Sequence, residues 1–153
     1  MSAKELARKI LKREEGWKEK PYYCSEGYPT IGYGFKIGTR HAPIPDIVMS
    51  ISEGDKKLDE WIENIIYSLN GNADTTRAYN NCNFDRQAIM ISMVYQLGMY
   101  GILKFKKFIG ACNDKDWNRA AEQMLDSLAA RQAPNRFKRQ SDVMRSGSIA
   151  GIY

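Results

Sequence analysis

The sequence predicts an α+β fold: a small N-terminal lobe with a short antiparallel sheet beside a larger helical C-terminal lobe, the two joined by a long helix. Two observations carry the prediction. Apolar residues recur at helical spacing over 2–15, over 53–69 and from about residue 84 onward. Between Pro21 and Gly38 that period gives way to tyrosines, glycines and prolines, which suit short strands and tight turns. A chain of 153 residues is near the commonest size of a domain, so residues 1–153 are expected to form one unit. Within it the small lobe is expected at about 14–55, the linking helix at about 53–69, and the helical lobe at about 70–153 together with residues 2–13.

In the first helix Ala3, Leu6, Ala7, Ile10 and Leu11 form one stripe. Ser2 and Glu5 fit a capping box, and Gly16 is placed to end the helix in a left-handed conformation. Tyr22–Cys24 and Thr30–Gly34 read as strands of a hairpin around Ser25–Gly27, followed by an irregular connection at His41–Pro45. Leu58, Trp61, Ile62, Ile65, Ile66 and Leu69 mark the linking helix after a cap at Ser52, and the polar stretch Asn70–Thr76 reads as the turn that follows. Helices are expected at about 84–97, 102–111, 115–130 and 135–145. Gly98, Asn113–Asp114 and Ala133–Pro134 separate them, and Pro134 is tolerated in a first turn. Trp61, Trp117 and the stretch Met90–Met99 are assigned to the core.

A net charge of +5 favours approach to a polyanion. Lys104, Lys106, Lys107, Arg131, Arg136, Lys138 and Arg139 could draw the chain to anionic wall polymers, and solvated helix faces explain them equally well. Nucleic-acid binding would rest on charge alone and is not expected. No apolar run reaches the roughly 18–20 residues of a membrane span, and the N-terminus carries charges where a signal peptide is apolar, so cytoplasmic residence without stable membrane insertion is expected. Cys24, Cys82 and Cys112 are an odd set, expected as reduced thiols. His41 is the single histidine, and no metal is expected.

The informative segments are Glu15-Gly16, Thr30-Ile-Gly-Tyr-Gly34, Met93-Val-Tyr-Gln-Leu-Gly98 and Pro134-Asn-Arg136. With these in this order the chain resembles the phage-type lysozymes of glycoside hydrolase family 24, particularly those of the T-even phages, over most of its length. The resemblance implies a lysozyme-like fold and a monomeric muramidase without cofactor. Such an enzyme hydrolyses the β-1,4 bond between N-acetylmuramic acid and N-acetylglucosamine in the glycan strands of peptidoglycan. It implies an endolysin that lyses the host, held in the host cytoplasm until a membrane-permeabilising protein releases it to the wall. Glu15 matches the family's catalytic glutamate, Thr30 its threonine, and Arg136 an arginine that pairs with the glutamate and links the lobes. Cys24 stands where the family carries an aspartate, and Phe35 where close relatives carry a histidine in a structural ion pair.

The residues support this chemistry in their own right. A carboxyl at the C-terminal end of a helix faces the negative pole of the macrodipole, and burial beside Trp17 or Tyr22 would likewise favour its neutral form. A protonated carboxylic acid is what a departing glycosidic oxygen needs. Pairing with Arg136 would oppose both effects. A thiol of pKa about 8.5 is mostly protonated at neutral pH unless neighbours such as Lys18 or Lys20 favour the thiolate. Cys24 is therefore a thiolate base or nucleophile, a polar assistant to Thr30, or the mark of a catalytically silent peptidoglycan-binding relative; the first is favoured because Glu15 and Thr30 are both present. Glu26 is a substitute carboxylate or, in its turn, a substrate contact. The Thr30 hydroxyl can hold the attacking water or simply suit a strand. Gly32 and Gly34 would let sugar rings approach the backbone or simply mark strand bends, and Gln96 is a substrate-facing amide or a surface glutamine.

Overall fold

A computed structural model describes all residues 1–153. The first helix, α1 (Ala3–Glu15), begins at the expected capping box, in which the Ser2 side chain accepts from the Glu5 N–H and the Glu5 carboxylate accepts from the Ser2 N–H. Its stripe of Ala3, Leu6, Ala7, Ile10 and Leu11 is buried. At its end the Gly16 N–H donates to the Lys12 carbonyl at 3.1 Å. Gly16 has φ 67 but ψ 174, so the chain leaves the helix directly into extended backbone and not through the left-handed helical cap that was expected.

Three antiparallel strands follow in the order β1 (Lys18–Tyr23), β2 (Pro29–Gly32) and β3 (Phe35–Lys36). Tyr22 lies opposite Thr30, and Thr30 in turn opposite Lys36. The expected strands 22–24 and 30–34 need correction. The first starts at Lys18, whose exposed Lys-Glu-Lys run gives no apolar alternation because it is held at an edge by backbone pairing. Cys24 falls just outside it, in the turn. The second strand ends at Gly32, and Tyr33–Gly34 turn into β3, a pair of residues too short to leave a periodic signal.

The linking helix α2 (Ile51–Gly71) is capped by Ser50 and not Ser52, its hydroxyl accepting from the Glu53 N–H at 3.1 Å. Gly54, Leu58, Ile62, Ile65 and Leu69 form its buried face. Trp61, assigned to the core, is 50% exposed and meets the edge of Tyr95 with ring centroids 6.2 Å apart. The expected turn 70–76 ends in a short helix, α3 (Thr76–Asn81), anchored by the buried Thr75 hydroxyl, which donates to the Leu69 carbonyl at 2.8 Å.

Next come α4 (Phe84–Lys104) and α5 (Lys106–Asn113). Gly98 interrupts α4 with φ 75 and ψ 165, a conformation that favours glycine, but the chain resumes its helix at once and runs to Lys104. Where one helix was expected over 115–130 there are two, α6 (Trp117–Leu125) and α7 (Leu128–Gln132). Ser127 divides them: its hydroxyl donates to the Met124 carbonyl and accepts from the Ala130 N–H, ending one helix and capping the next. The last helix, α8 (Pro134–Ser146), carries Pro134 in its first turn.

One continuous core joins Ile10 and Leu11 of α1, Leu58 and Ile62 of α2, Met90 and Met93 of α4, Phe108 of α5 and Phe137 of α8. Met99 and Trp117 pack only partly against it, and Trp117 lies under the Arg86 guanidinium at 4.2 Å. The first helix packs on α2 and α4, so it belongs to the helical lobe while its last residue faces the sheet.

Candidate active site

Glu15 is the last residue of α1, and its side chain is 20% exposed. The Arg136 Nη1 donates to its Oε1 at 2.9 Å, and the Arg136 Nη2 donates to the Ser92 hydroxyl at 3.0 Å. Ser92 is fully buried and also accepts from Gln140 Nε2 at 2.9 Å. Next to this pair, Glu14 is sequestered, with 1% of its side chain exposed, and Arg139 grips both of its oxygens at 2.8 and 3.2 Å. The end of α1 is thereby tied to α4 and α8 by charge-assisted bonds between groups withdrawn from water.

The other oxygen of Glu15 stands over the β2–β3 turn. A Cβ built on Gly34, whose φ is +80, would lie 2.8 Å from Glu15 Oε2, so glycine is required there both for the backbone and for the carboxyl above it. The close approach made possible by Gly34 is thus to Glu15 itself. Gly32 faces the apolar side, where a Cβ would meet the Phe35 ring at 2.7 Å, so its place is set by packing.

Cys24 is a half-buried thiol at the start of the hairpin turn, which its carbonyl closes by accepting from the Gly27 N–H at 2.9 Å. Burial works against its thiolate. The backbone N–H groups of Tyr28 and Glu26, the Thr30 hydroxyl and the Lys36 ammonium outweigh that burial and hold the thiol below its ordinary pKa. The cation is Lys36, paired across the sheet from Thr30 and resting on the Tyr28 ring at 4.2 Å; Lys18 and Lys20, named from their nearness in sequence, do not take this part. Thr30 is buried, and its hydroxyl donates its one hydrogen to the Tyr28 carbonyl at 2.8 Å. That hydroxyl therefore has two competing acceptors in reach, the carbonyl and the sulfur.

Tyr22 joins the two halves. Its phenol is pushed up first by burial and then by the negative charges of Glu15 and Cys24, so both groups lie within electrostatic reach of one ring. Tyr22 is thus the aromatic neighbour of Glu15, whereas Trp17 packs on Tyr33, with centroids 4.8 Å apart, and on Gly54. Tyr95, also raised by burial and then by Glu15, donates its hydroxyl to the Tyr33 carbonyl. Neither Tyr95 nor Ser92 was singled out in the sequence, where both sit in the apolar run of α4.

The remaining residues divide. Gln96 is half-buried, and its side-chain carbonyl is sealed from water with no protein partner. Glu26 is exposed at the hairpin tip, with its backbone carbonyl accepting from Arg40 Nε at 2.7 Å. Phe35 is buried edge-on to Tyr33 under Lys57, so aromatic packing occupies the place of the histidine ion pair. Arg136 and Arg139 are committed to Glu15 and Glu14 and are not part of a solvated basic face. A cavity of about 570 Å³ between Leu97, Phe105, Phe108 and Leu128 is lined by none of Glu15, Cys24 and Thr30. No three His, Cys, Asp or Glu side chains converge as a metal-ligand set.

Comparison with known proteins converges on one family. The family described as Phage lysozyme matches residues 12–136, a span that opens just before Glu15 and closes on Arg136. Two proteins of Dictyostelium discoideum, Probable T4-type lysozyme 1 and Probable T4-type lysozyme 2, are 28% and 26% identical, each aligned over 92% of this chain and 94% of its own length. The Pre-baseplate central spike protein Gp5 of Enterobacteria phage T4 is 24% identical over 92% of this chain but only 28% of the spike protein.

Proposed function

Because the chain belongs to the phage lysozyme family, we propose that it is a muramidase that cuts the β-1,4 bond between N-acetylmuramic acid and N-acetylglucosamine in peptidoglycan. The observation that carries the reading is the Glu15 carboxyl. One oxygen is fixed by Arg136, the other is held over Gly34 without a protein hydrogen bond, and Tyr22 links it to a thiol whose turn favours the anion.

In the reaction, protonated Glu15 gives its hydrogen to the glycosidic oxygen as the bond to C1 of N-acetylmuramic acid breaks. Water held by the Thr30 hydroxyl attacks C1 from the opposite face and loses its proton to the Cys24 thiolate. The products are an N-acetylmuramic acid reducing end and a new 4-hydroxyl on N-acetylglucosamine. Arg136 keeps the Glu15 carboxyl in place and is a positioning residue. Glu26, exposed at the hairpin tip, meets the glycan strand at the cleft rim, and the amide N–H of the half-buried Gln96 faces a sugar oxygen.

Digestion of purified peptidoglycan followed by borohydride reduction tests this assignment. N-acetylmuramitol at the new ends is expected, and N-acetylglucosaminitol or no new ends would refute it. Anomer analysis of the fresh products sharpens it: the α anomer fits Cys24 as base, and the β anomer would make the sulfur a nucleophile.

The biological setting we propose is host lysis by a single-chain endolysin that waits in the cytoplasm for a membrane-permeabilising partner. It rests on the family and on the finding that no single helix is long and apolar enough to cross a membrane. Expression in a bacterial host with and without such a partner is the test: lysis is expected only with it, and lysis by the enzyme alone would overturn this setting.

A further inference from the structure

We propose that Trp61 binds substrate, as an indole platform on which one N-acetylglucosamine ring of the glycan strand stacks; this rests on the muramidase reading above. Trp61 lies on one side of α2. On the other side Asp55, Asp59 and Glu63 pair with Lys12, Arg8 and Lys4 of α1. Lys57, one turn before Trp61 and on its side of the helix, holds its ammonium over the Phe35 ring of β3, 5.1 Å from the centroid. Trp61 itself meets the edge of Tyr95 of α4. That side of α2 therefore looks into the angle between the sheet and the helical lobe, where an extended ligand has room to lie.

A continuous set of contacts leads from Trp61 to the acid. The Tyr95 hydroxyl donates to the Tyr33 carbonyl at 2.5 Å, and the next residue, Gly34, is the one over which the Glu15 carboxyl stands. A lone exposed apolar side chain would call for no explanation. Trp61 differs in its mounting. Tyr95 meets it with ring planes at 70°, Tyr95 is itself fixed to the turn beneath Glu15, and half of Trp61 stays open to solvent.

A β-linked N-acetylglucosamine ring presents axial C–H groups on its flat faces and hydroxyls around its edge. Indole suits the faces: it offers a large apolar surface whose negative π-cloud attracts polarised C–H groups. Ordering it costs little, because the side chain turns about only two bonds and Tyr95 already restricts them. N-acetylmuramic acid fits less well, since its lactyl group and stem peptide crowd the ring. Trp61 touches neither the scissile oxygen nor C1, so it grips the strand equally before and in the transition state. Uniform binding of this kind lowers KM and leaves kcat unchanged.

The test titrates the full chain carrying Glu15→Gln, by calorimetry, with a hexasaccharide of alternating N-acetylglucosamine and N-acetylmuramic acid. Adding Trp61→Ala should weaken binding by about 10-fold, and Trp61→Phe in its place should recover part of that loss. With Glu15 intact, Trp61→Ala should raise KM on soluble peptidoglycan fragments by a similar factor and keep kcat within about twofold. Affinity unchanged by Trp61→Ala, or a fall in kcat at constant KM, would overturn the platform and leave the muramidase assignment standing. Absence of any hexasaccharide binding by the Glu15→Gln chain would bring down that assignment and the platform with it.

Discussion

Glu15 and the Cys24 sulfur are close neighbours in sequence, yet they are held by opposite means. Glu15 depends on residues from the far end of the chain: Arg136 of α8 holds its carboxyl, Ser92 of α4 holds Arg136, and Arg139 locks the adjoining Glu14. Cys24 depends on its own hairpin, with Glu26 and Tyr28 in the turn, Thr30 on β2 and Lys36 on β3. The first arrangement withdraws charges from water and fails expensively if one partner is lost. The second is local, with a half-buried thiol and an exposed lysine, so Cys24 and Lys36 can be changed with little effect on folding. Chemistry and stability should therefore be inseparable at one end and separable at the other.

The largest effect should come from breaking the buried end. Glu14→Ala removes the partner of Arg139, which is 32% exposed, and an anion from beside Arg136, and should cost about 1.5–3 kcal/mol of stability, read as a fall in denaturation midpoint by circular dichroism. A loss below about 1 kcal/mol would mean that water reaches these groups freely. At the local end, Cys24→Ser should lower kcat/KM by about 100-fold or more while leaving the midpoint unmoved. Cys24→Asp should keep much of the activity and carry the acidic limb of the pH profile to lower pH, since a carboxylate ionises below a thiol. Serine as active as cysteine would remove the sulfur from the mechanism.

A smaller effect sharpens the contrast further. Lys36→Met removes a cation that favours the Cys24 anion, so the activity limb governed by the thiol should move to higher pH with no change in stability. An unmoved limb would leave only the turn N–H groups and Thr30 to stabilise the thiolate. Least of all is Asp55, a partly exposed carboxyl. Burial opposes its charge, but the Tyr33 hydroxyl at 2.7 Å and Lys12 at 3.0 Å keep its pKa below the ordinary value. Because the folded state holds this proton less tightly than the unfolded chain, the contribution is complete above the unfolded value near about 4 and fades as the pH falls through the folded one. Asp55→Asn should therefore lower the unfolding midpoint slightly at neutral pH, and by progressively less as the pH falls below the unfolded value.

Sequence reasoning reached what is encoded locally. The capping box at Ser2, the stripe of α1 and the place of Glu15 at its end are matters of adjacent residues, and they stand as expected. The pairing of Arg136 with Glu15, implied by family resemblance, is also present. What was missed depends on contacts made at a distance or on elements too short to show a period. Lys36 reaches Cys24 only through the register of the sheet, which sequence spacing does not reveal. Ser92 and Tyr95 are polar atoms inside an apolar run, and their use is visible only once α8 and the β2–β3 turn are in place. Trp61 reads as core by its spacing, but the face of α2 that carries it meets only one edge of Tyr95. The division of α6 from α7 turns on a single serine hydroxyl.

The release of reducing ends from purified peptidoglycan by Glu15→Gln, set beside the unchanged protein at equal concentration, tests the central claim most directly. The amide keeps the size of the side chain and a carbonyl for Arg136 to hold, but it cannot supply the acidic proton. The account predicts a loss of at least about 100-fold in rate with the fold intact. Activity within about threefold of the unchanged protein would contradict it, because the proton would then be coming from elsewhere.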